Sequence, residues 1–460
     1  MNTPLFTKKQ ITLIIIPLLF QNLLSITIGM IDSVMVASVG EEAFAGVSLV
    51  TFLDTLLITF FSSVTSGGMV VLSQSLGAGD NKRATEASKQ LLYTAFAVAF
   101  VISAVVLVLR VPILDALFGE AEKSVMQNAL DYFTFIAMSF PFLAIDYSVA
   151  AMFRAQGDSM IAMKIALLNN AINIAGNALL IFGFGLGAMG AAISTLFSRA
   201  VGAVLIIIIG HRKTRPIHLQ KIFSFRPDKG IIKDILSIGV PNGVENSLFQ
   251  FGRLMTSSLV STFSTAAVSA NAAALALANF QYTAGGAIQN SMITVVGRCV
   301  GAQDKKQARQ YTVMLLTIGY ALVIAVCTIT CVFSTPLLKL YNLSPESLTT
   351  AKNLLFFHNI VSCLIWGAAF ILPPAFRAAS DVKFTMIVSV FSMWVFRVAF
   401  AHYLARGEID VFGLFTMRGM GLGIYGVWIA MAADWVFRTI LFVWRFVGGK
   451  WLTKYKGFAK

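Results

Sequence analysis

Charge is what this sequence is short of: Asp, Glu, Lys and Arg together make up 12% of 460 residues, against 57% apolar side chains. Ordinary soluble domains carry about a quarter charged residues, so a soluble globule of this size is excluded and lipid must cover much of the chain. Cysteine is scarce too. The four thiols, Cys299, Cys327, Cys331 and Cys363, have no CxxC spacing and fall mostly inside apolar runs, so they read as packing residues and exclude a disulfide frame or a zinc site. No GxxxxGK[ST] sequence occurs, so ATP is not hydrolysed by a P-loop here, and energy has to come from an ion gradient or a partner subunit. Two GxGxxG matches, Gly185 to Gly190 and Gly421 to Gly426, follow no strand pattern and read as equivalent tight turns, not as dinucleotide loops. His/Glu metal spacing and a nucleophile–base set are lacking as well, so the chain is not expected to be an enzyme.

What is present in abundance is apolar length. Runs such as Ile11 to Ile31, Leu91 to Leu109, Ile161 to Phe182 and Tyr311 to Phe333 approach or exceed the roughly 20 residues that cross hydrocarbon. They are continuous, not alternating, which points to helices and away from strands. About twelve spans emerge: 11–37, 44–73, 88–115, 126–153, 161–183, 188–210, 232–262, 266–296, 309–335, 348–376, 381–404 and 421–447. Lys8 and Lys9 precede the first run as in a secretory signal, but no small-x-small cleavage site follows, so it counts as a span.

A formal charge of +14 invites a nucleic-acid reading, and the placement of the charge argues against it. Basic residues collect in alternate loops: Lys8, Lys9, Lys82, Arg83, Lys89, Arg154, Lys164, the stretch Arg212 to Lys233, Lys305, Lys306, Arg309, Arg377, Lys383 and the tail from Lys450. The intervening loops hold Glu41, Glu42, Asp115, Glu120, Glu122, Asp131 and Glu346. This is the positive-inside pattern, with both termini expected in the cytoplasm of a cell inner or plasma membrane protein.

Internal repetition organises the chain. At a shift of 224 residues, Pro17 to Asn22 lies over Pro241 to Asn246, and Gly77-Ala-Gly-Asp80-Asn-Lys82-Arg-Ala84 over Gly301-Ala-Gln-Asp304-Lys-Lys306-Gln-Ala308. At 223, Phe153-Arg-Ala-Gln-Gly-Asp158 lies over Phe376-Arg-Ala-Ala-Ser-Asp381. Three collinear matches define a duplication. The expected fold is therefore an all-α polytopic membrane protein with twelve transmembrane helices in two pseudo-symmetric six-helix lobes, parallel because six is even. The expected division is 1–210 for the N-terminal lobe, 211–231 for a cytoplasmic linker and 232–460 for the C-terminal lobe. The stretch Arg406 to Gly419 is longer than its counterpart in the first half and is expected outside the membrane.

Ionisable side chains inside spans are costly and so mark function by default. The acids are Asp32, Asp54, Asp146, Glu245 and Asp434, accompanied by Arg199, Arg253, Arg397 and Arg438. Asp434 and Arg438 are four apart and read as a local ion pair. Asp32 has no base three or four positions away, which suits a group that takes up a proton or holds a cation. Asp54, near mid-depth on the next span, either joins Asp32 in one polar pocket or is a packing carboxyl. Asn173 and Asn177 share a face of the fifth span and serve either as interhelical hydrogen-bond glue or as oxygen ligands for a small cation beside Asp32. Glu245 sits where the first repeat has Gln21, and reads as a substrate or second cation site or as one half of a salt bridge to another helix.

Taken in order on a duplicated frame, the segments Pro17 to Asn22, Gly29 to Gly40, Gln74 to Asp80, Phe153 to Asp158, Pro241 to Asn246 and Val300 to Asp304 resemble the multidrug and toxic-compound extrusion (MATE) family across essentially the whole chain. The resemblance implies two lobes facing a central cleft and alternating access driven by inward Na⁺ or H⁺. It implies ion coupling at Asp32 with the fifth-helix positions Asn173 and Asn177, and a seventh-helix carboxylate near Glu245. Some relatives carry an acid where this chain has Asn177, and the tenth-helix acid of some members has no counterpart. The expected activity is secondary antiport exporting small, mostly cationic organic compounds. No cofactor or metal is expected beyond the coupling ion, with Na⁺ a candidate at Asp32. The expected partners are small organic cations and the lipid bilayer, with no nucleic acid, and the expected state is a monomer. The alternative readings are a flippase for a lipid-linked oligosaccharide or cell-wall precursor, which calls for Arg199, Arg253 and Arg397 in the cleft, and an ion channel, which a duplicated single chain does not suit.

Overall fold

In hydrocarbon a backbone has no water to bond, so an apolar run of span length closes its hydrogen bonds within itself as a helix. The computed structural model describes residues 4–213, 215–220, 222, 224, 226–411, 415–455 and 457. Twelve long helices form among them. The first six are α1 Lys8–Ala37, α2 Glu41–Gly77, α3 Asn81–Phe118, α4 Lys123–Ala155, α5 Ser159–Gly183 and α6 Gly187–Gly210. The second six are α7 Lys229–Ser261, α8 Thr265–Gly301, α9 Lys305–Val332, α10 Pro345–Ala378, α11 Val382–Ala405 and α12 Ile424–Val447. Ten of them are long and apolar enough to cross a membrane. The other two, α7 and α8, have 33 and 37 residues but carry Asn242, Glu245, Asn246, Gln250 and Arg253, and Asn271, Asn279, Gln281, Gln289 and Asn290, which lower their hydropathy. Three helices contain π-helical stretches, Ala178–Gly183 in α5, Ser362–Ile371 in α10 and Met393–Ala399 in α11.

The chain divides into two compact units, Met1–Gly243 and Val244–Lys460. The division falls inside α7, some way past the linker expected at 211–231. The cause is local: a Cβ on Gly239 of α7 would meet Val64 Cα of α2 at 2.9 Å, so the first turns of α7 are packed tightly into the N-terminal unit. Within that unit α4 is central, packing on α2, α3 and α6, while α1 packs on α5. Its core includes Val50, Phe61, Phe133, Phe140 and Ala144, with the Phe61 and Phe140 rings 5.8 Å apart. The connection after α6 is bonded to the unit at several of its described residues. Leu219 N donates to Gly210 O at 2.7 Å, Tyr93 hydroxyl to Ile222 O at 2.7 Å, and Gln90 Nε2 to Arg226 O at 2.7 Å.

In the C-terminal unit α10 takes the central place, packing on α8, α9 and α12. An aromatic cluster fills the space around it. Tyr282 shares a 2.9 Å hydrogen bond with His358 Nε2, the Trp366 ring stacks on Tyr282, and Trp435 meets Tyr282, His358 and Phe370 edge-on. Large apolar side chains such as Val108, Val34 and Leu364 point outward at 78%, 69% and 70% exposure, as a lipid-facing surface requires.

Strands were not expected, and one short ribbon corrects that reading. Glu408–Val411 (β1) and Phe415–Arg418 (β2) pair antiparallel, Glu408 opposite Arg418, inside the polar insert between α11 and α12. Four-residue strands are too short to leave a readable alternation. The two GxGxxG turns behave as read: Gly185 and Gly187, and their repeats Gly421 and Gly423, all take φ between 55° and 68°, a left-handed region open to glycine.

Candidate functional site

Asp32 lies near the end of α1, half-buried, and Asn177 of α5 reaches it: the Asn177 amide Nδ2 donates to Asp32 Oδ1. Asn177 is fully buried, at the last α-helical turn before the π-helical stretch of α5. A π turn re-aims the side chains next to it, and such turns recur at functional sites. Asn173, one turn earlier, points to α6 instead. Its Nδ2 donates to Thr195 Oγ1 at 3.1 Å and Ser194 Oγ at 3.4 Å, and Ser194 Oγ donates back to Asn173 O at 2.7 Å. A Cβ on Gly176 would collide with Ser194 Oγ, which shows how closely α5 and α6 approach there.

Asp54 of α2 is held by α6. Arg199 Nη2 donates to Asp54 Oδ2 at 3.2 Å and Arg199 Nη1 to Ser139 Oγ of α4 at 2.7 Å. Arg199 interacts electrostatically with Asp32 as well, and the buried Tyr132 of α4 interacts with both Asp32 and Asp54. Two oxygens of this group, Asn177 Oδ1 and Asp54 Oδ1, are buried and have no hydrogen-bond donor among the described residues. Carboxylate and amide oxygens lacking a donor are hard ligands for a small cation, and a carboxyl among them can carry a proton. Asp146 of α4 adds a third acid, with its buried Oδ1 likewise without a donor among the described residues.

The C-terminal unit is built differently. Glu245 of α7 is buried, and its Oε1 accepts from Arg377 Nη2 at the end of α10 at 2.8 Å. Of the two readings the sequence left open for Glu245, the interhelical salt bridge is present. Asp434 and Arg438 pair at 2.7 Å as their four-residue spacing predicts, and Arg397 of α11 adds a second cation 3.7 Å from Asp434. Ser392 Oγ donates to Asp434 Oδ1 at 2.5 Å.

Of the residues singled out from sequence, the structure thus joins Asp32 with Asn177, sets Asn173 one turn away on hydroxyls of α6, and gives Asp54 and Glu245 each an arginine. Tyr132, Ser139, Ser194 and Thr195 were not foreseen, because a lone hydroxyl in a span, unlike a run of amides, carries no signal of its own. Arg377 had one: it repeats Arg154, just as Glu245 repeats Gln21, and Arg154 Nη2 donates to Gln21 Oε1 at 3.5 Å.

Two duplicated six-helix lobes of this composition define a class, the polytopic α-helical membrane transporters with internal repeats. A MatE profile matches residues 17–179 and again 241–403, two stretches separated by the shift of 224 that the repeat itself shows. The chain belongs to the MatE family. It is 26% identical over 452 residues to the uncharacterized transporter YisQ of Bacillus subtilis, a match covering 95% of this chain and 94% of that protein. It is 25% identical over 467 residues to the probable multidrug resistance protein NorM of Thermotoga maritima, covering 96% and 93%. A solved structure described as the outward-facing conformation of a multidrug resistance MATE family transporter of the MOP superfamily superposes with a TM-score of 0.86, at 20% identity, over 97% of each chain. That likeness establishes the fold.

Proposed function

We propose that this chain is a secondary active antiporter that exports small, mostly cationic organic compounds in exchange for Na⁺ or H⁺. The observation that carries the reading is the contact of the Asp32 carboxylate with Asn177, whose own Oδ1 is buried with no donor among the described residues. A cation or proton captured there neutralises a carboxylate that is costly to hold at membrane depth. Its arrival and departure supply the differential free energy that alternating access needs. Asn173 positions the site through α6, and Arg199, paired with Asp54, lies within electrostatic reach of Asp32. The multidrug names carried by relatives over more than nine-tenths of their length support organic compounds as cargo. The lysine and arginine distribution supports cytoplasmic termini.

The flippase alternative asks for free arginines. Arg199 is bound to Asp54 and Arg397 lies against Asp434, which lowers the charge available for a pyrophosphate. The test is efflux of ethidium from proteoliposomes under separately imposed Na⁺ and H⁺ gradients. One gradient is expected to drive export in the wild type, and Asp32→Asn is expected to reduce gradient-driven export to background. Undiminished export by Asp32→Asn rules out this coupling site.

A further inference from the structure

A polar and an apolar hollow meet at the start of α7. The polar one, of about 750 Å³, lies between the beginning of α3 and the end of the connection that leads into α7, and its lining includes Glu86, Lys89, Arg226, Asp228 and Lys229. Three cations thus face two carboxylates, and both carboxylates are already engaged. Glu86 Oε1 lies 3.3 Å from Lys89 Nζ and accepts from Gln90 Nε2 at 2.5 Å. Asp228 Oδ1 caps α7, accepting from Gly230 N at 2.8 Å and Ile231 N at 3.1 Å. Arg226 and Lys229 are exposed and form no salt bridge among the described residues. The polar hollow is therefore net cationic, with two basic heads unclaimed.

The apolar hollow, of about 540 Å³, shares Lys229 and runs down α7 past Ile232, Lys233 and Leu236. On that face Ile232, Leu236 and Val240 recur every four residues, about 6 Å per step along a helix, while Ile231, Ile235 and Ile238 turn inward and are buried. Lys89 lies in the first turn of the span expected from residue 88, and Lys229 stands just before the span expected from 232. The polar hollow thus sits at the level of lipid headgroups and the apolar one at acyl-chain depth. A soluble phosphate compound would use the first hollow and leave the second empty, whereas a phospholipid uses both. The geometry points to a binding site for one anionic glycerophospholipid, its phosphate between Arg226 and Lys229 and an acyl chain along Ile232, Leu236 and Val240. The lipid bridges the bilayer to the joint between the repeats, a segment bonded to α3 by Gln90 Nε2 donating to Arg226 O at 2.7 Å and by Arg83 with Asp234 at 2.9 Å. This inference is independent of what the protein exports.

The test is native mass spectrometry of the purified protein in detergent with dioleoylphosphatidylglycerol and dioleoylphosphatidylcholine, which share their acyl chains and differ in headgroup charge. The wild type is expected to prefer the anionic lipid roughly tenfold or more, the scale of two basic residues at a membrane surface. That ratio, in which partitioning into detergent cancels, is expected to fall roughly tenfold in Arg226→Gln/Lys229→Gln. It is expected to change less than about twofold in Arg212→Gln/Lys213→Gln, which removes the same charge from exposed residues at the other end of the connection. Excess sn-glycerol 3-phosphate is expected not to displace the lipid. Equal affinity for the two lipids in the wild type, or an equal fall in the two double variants, overturns the site and leaves only diffuse attraction of anionic lipid to a basic surface. Displacement by sn-glycerol 3-phosphate overturns it as well, because the polar hollow then takes soluble phosphates.

Discussion

The two lobes descend from one repeat, yet their interiors have opposite electrical character. Among the acids and arginines singled out inside spans, the first repeat holds Asp32, Asp54 and Asp146 against Arg199, and the second holds Glu245 and Asp434 against Arg253, Arg397 and Arg438. Where the first repeat has Asp32, Asn173 and Asn177, the shifts of 224 and 223 place Thr256, Phe396 and Phe400. The rim, by contrast, keeps one contact in both. Arg154 reaches Gln21 as Arg377 reaches Glu245, and the equivalent aspartates Asp158 and Asp381 each pair with an arginine, Arg215 from the connection after α6 in the first and Arg445 of α12, at 2.8 Å, in the second. A contact present in both copies serves what the copies share, the folding of a six-helix bundle. A difference at an equivalent position marks a division of labour: oxygen ligands in one lobe, guanidinium and aromatic surface in the other.

The strongest way to break this comparison is through the buried charges. Asp434 is fully buried between Arg438, Arg397 and Ser392, so Asp434→Ala leaves two uncompensated cations and is expected to cost about 3–5 kcal/mol. Asp54 has a single arginine partner that keeps Ser139 as a second acceptor, and both side chains of that pair retain some exposure, 13% and 15%. Asp54→Ala is therefore expected to cost less, about 1–3 kcal/mol. Thermal unfolding in detergent ranks the two. A larger loss for Asp54→Ala shows that the arginine-rich lobe does not depend on its one central acid.

How much of this was legible beforehand follows from the range of each signal. Span positions came from local composition and are close: α6 runs Gly187–Gly210 where 188–210 was expected. The repeat helped most at α7 and α8, whose amides and charges push them below the hydropathy of the other ten while their counterparts α1 and α2 remain clearly apolar. Asp434–Arg438 could be read because a helix brings residues four apart together. Arg199–Asp54 and Arg377–Glu245 join residues 145 and 132 positions apart, and no local pattern encodes them. The π-helical stretches were hidden for a similar reason, since an extra residue in a turn leaves an apolar run looking the same.

The comparison sharpens at the ion site. Asp32 is half-buried and asparagine preserves its size, so Asp32→Asn is expected to change stability by under about 1 kcal/mol while removing gradient-driven ethidium export. Adding Thr256→Asp to that variant puts a carboxylate at the equivalent place of the second repeat. It is expected not to restore export, because Phe396 and Phe400 stand where the amides would have to be. Restored export in the double variant shows that the two lobes are interchangeable as ion carriers and that the amides contribute little.

The smallest effect lies in the turns that begin α3 and α9. In both, an aspartate caps the helix: Asp80 Oδ1 accepts from Arg83 N at 2.8 Å, and Asp304 Oδ1 accepts from Gln307 N at 2.9 Å. The residue before each is left-handed, Gly79 at φ 75° and Gln303 at φ 59°. That conformation costs a residue with a side chain roughly 1–2 kcal/mol. Nothing lies within 4 Å of a Cβ on Gly79, so Gly79→Ala incurs the backbone cost alone and is expected to lower stability by about 1 kcal/mol. Gln303→Gly relieves the same cost while giving the unfolded chain about 0.4–1 kcal/mol more freedom, so it is expected to be neutral or stabilising by under about 1 kcal/mol. Melting curves of the two variants should therefore move apart. If both move down by the same amount, Gln303 is held by contacts that outweigh its backbone strain, and the two turns, alike in backbone, are stabilised in different ways.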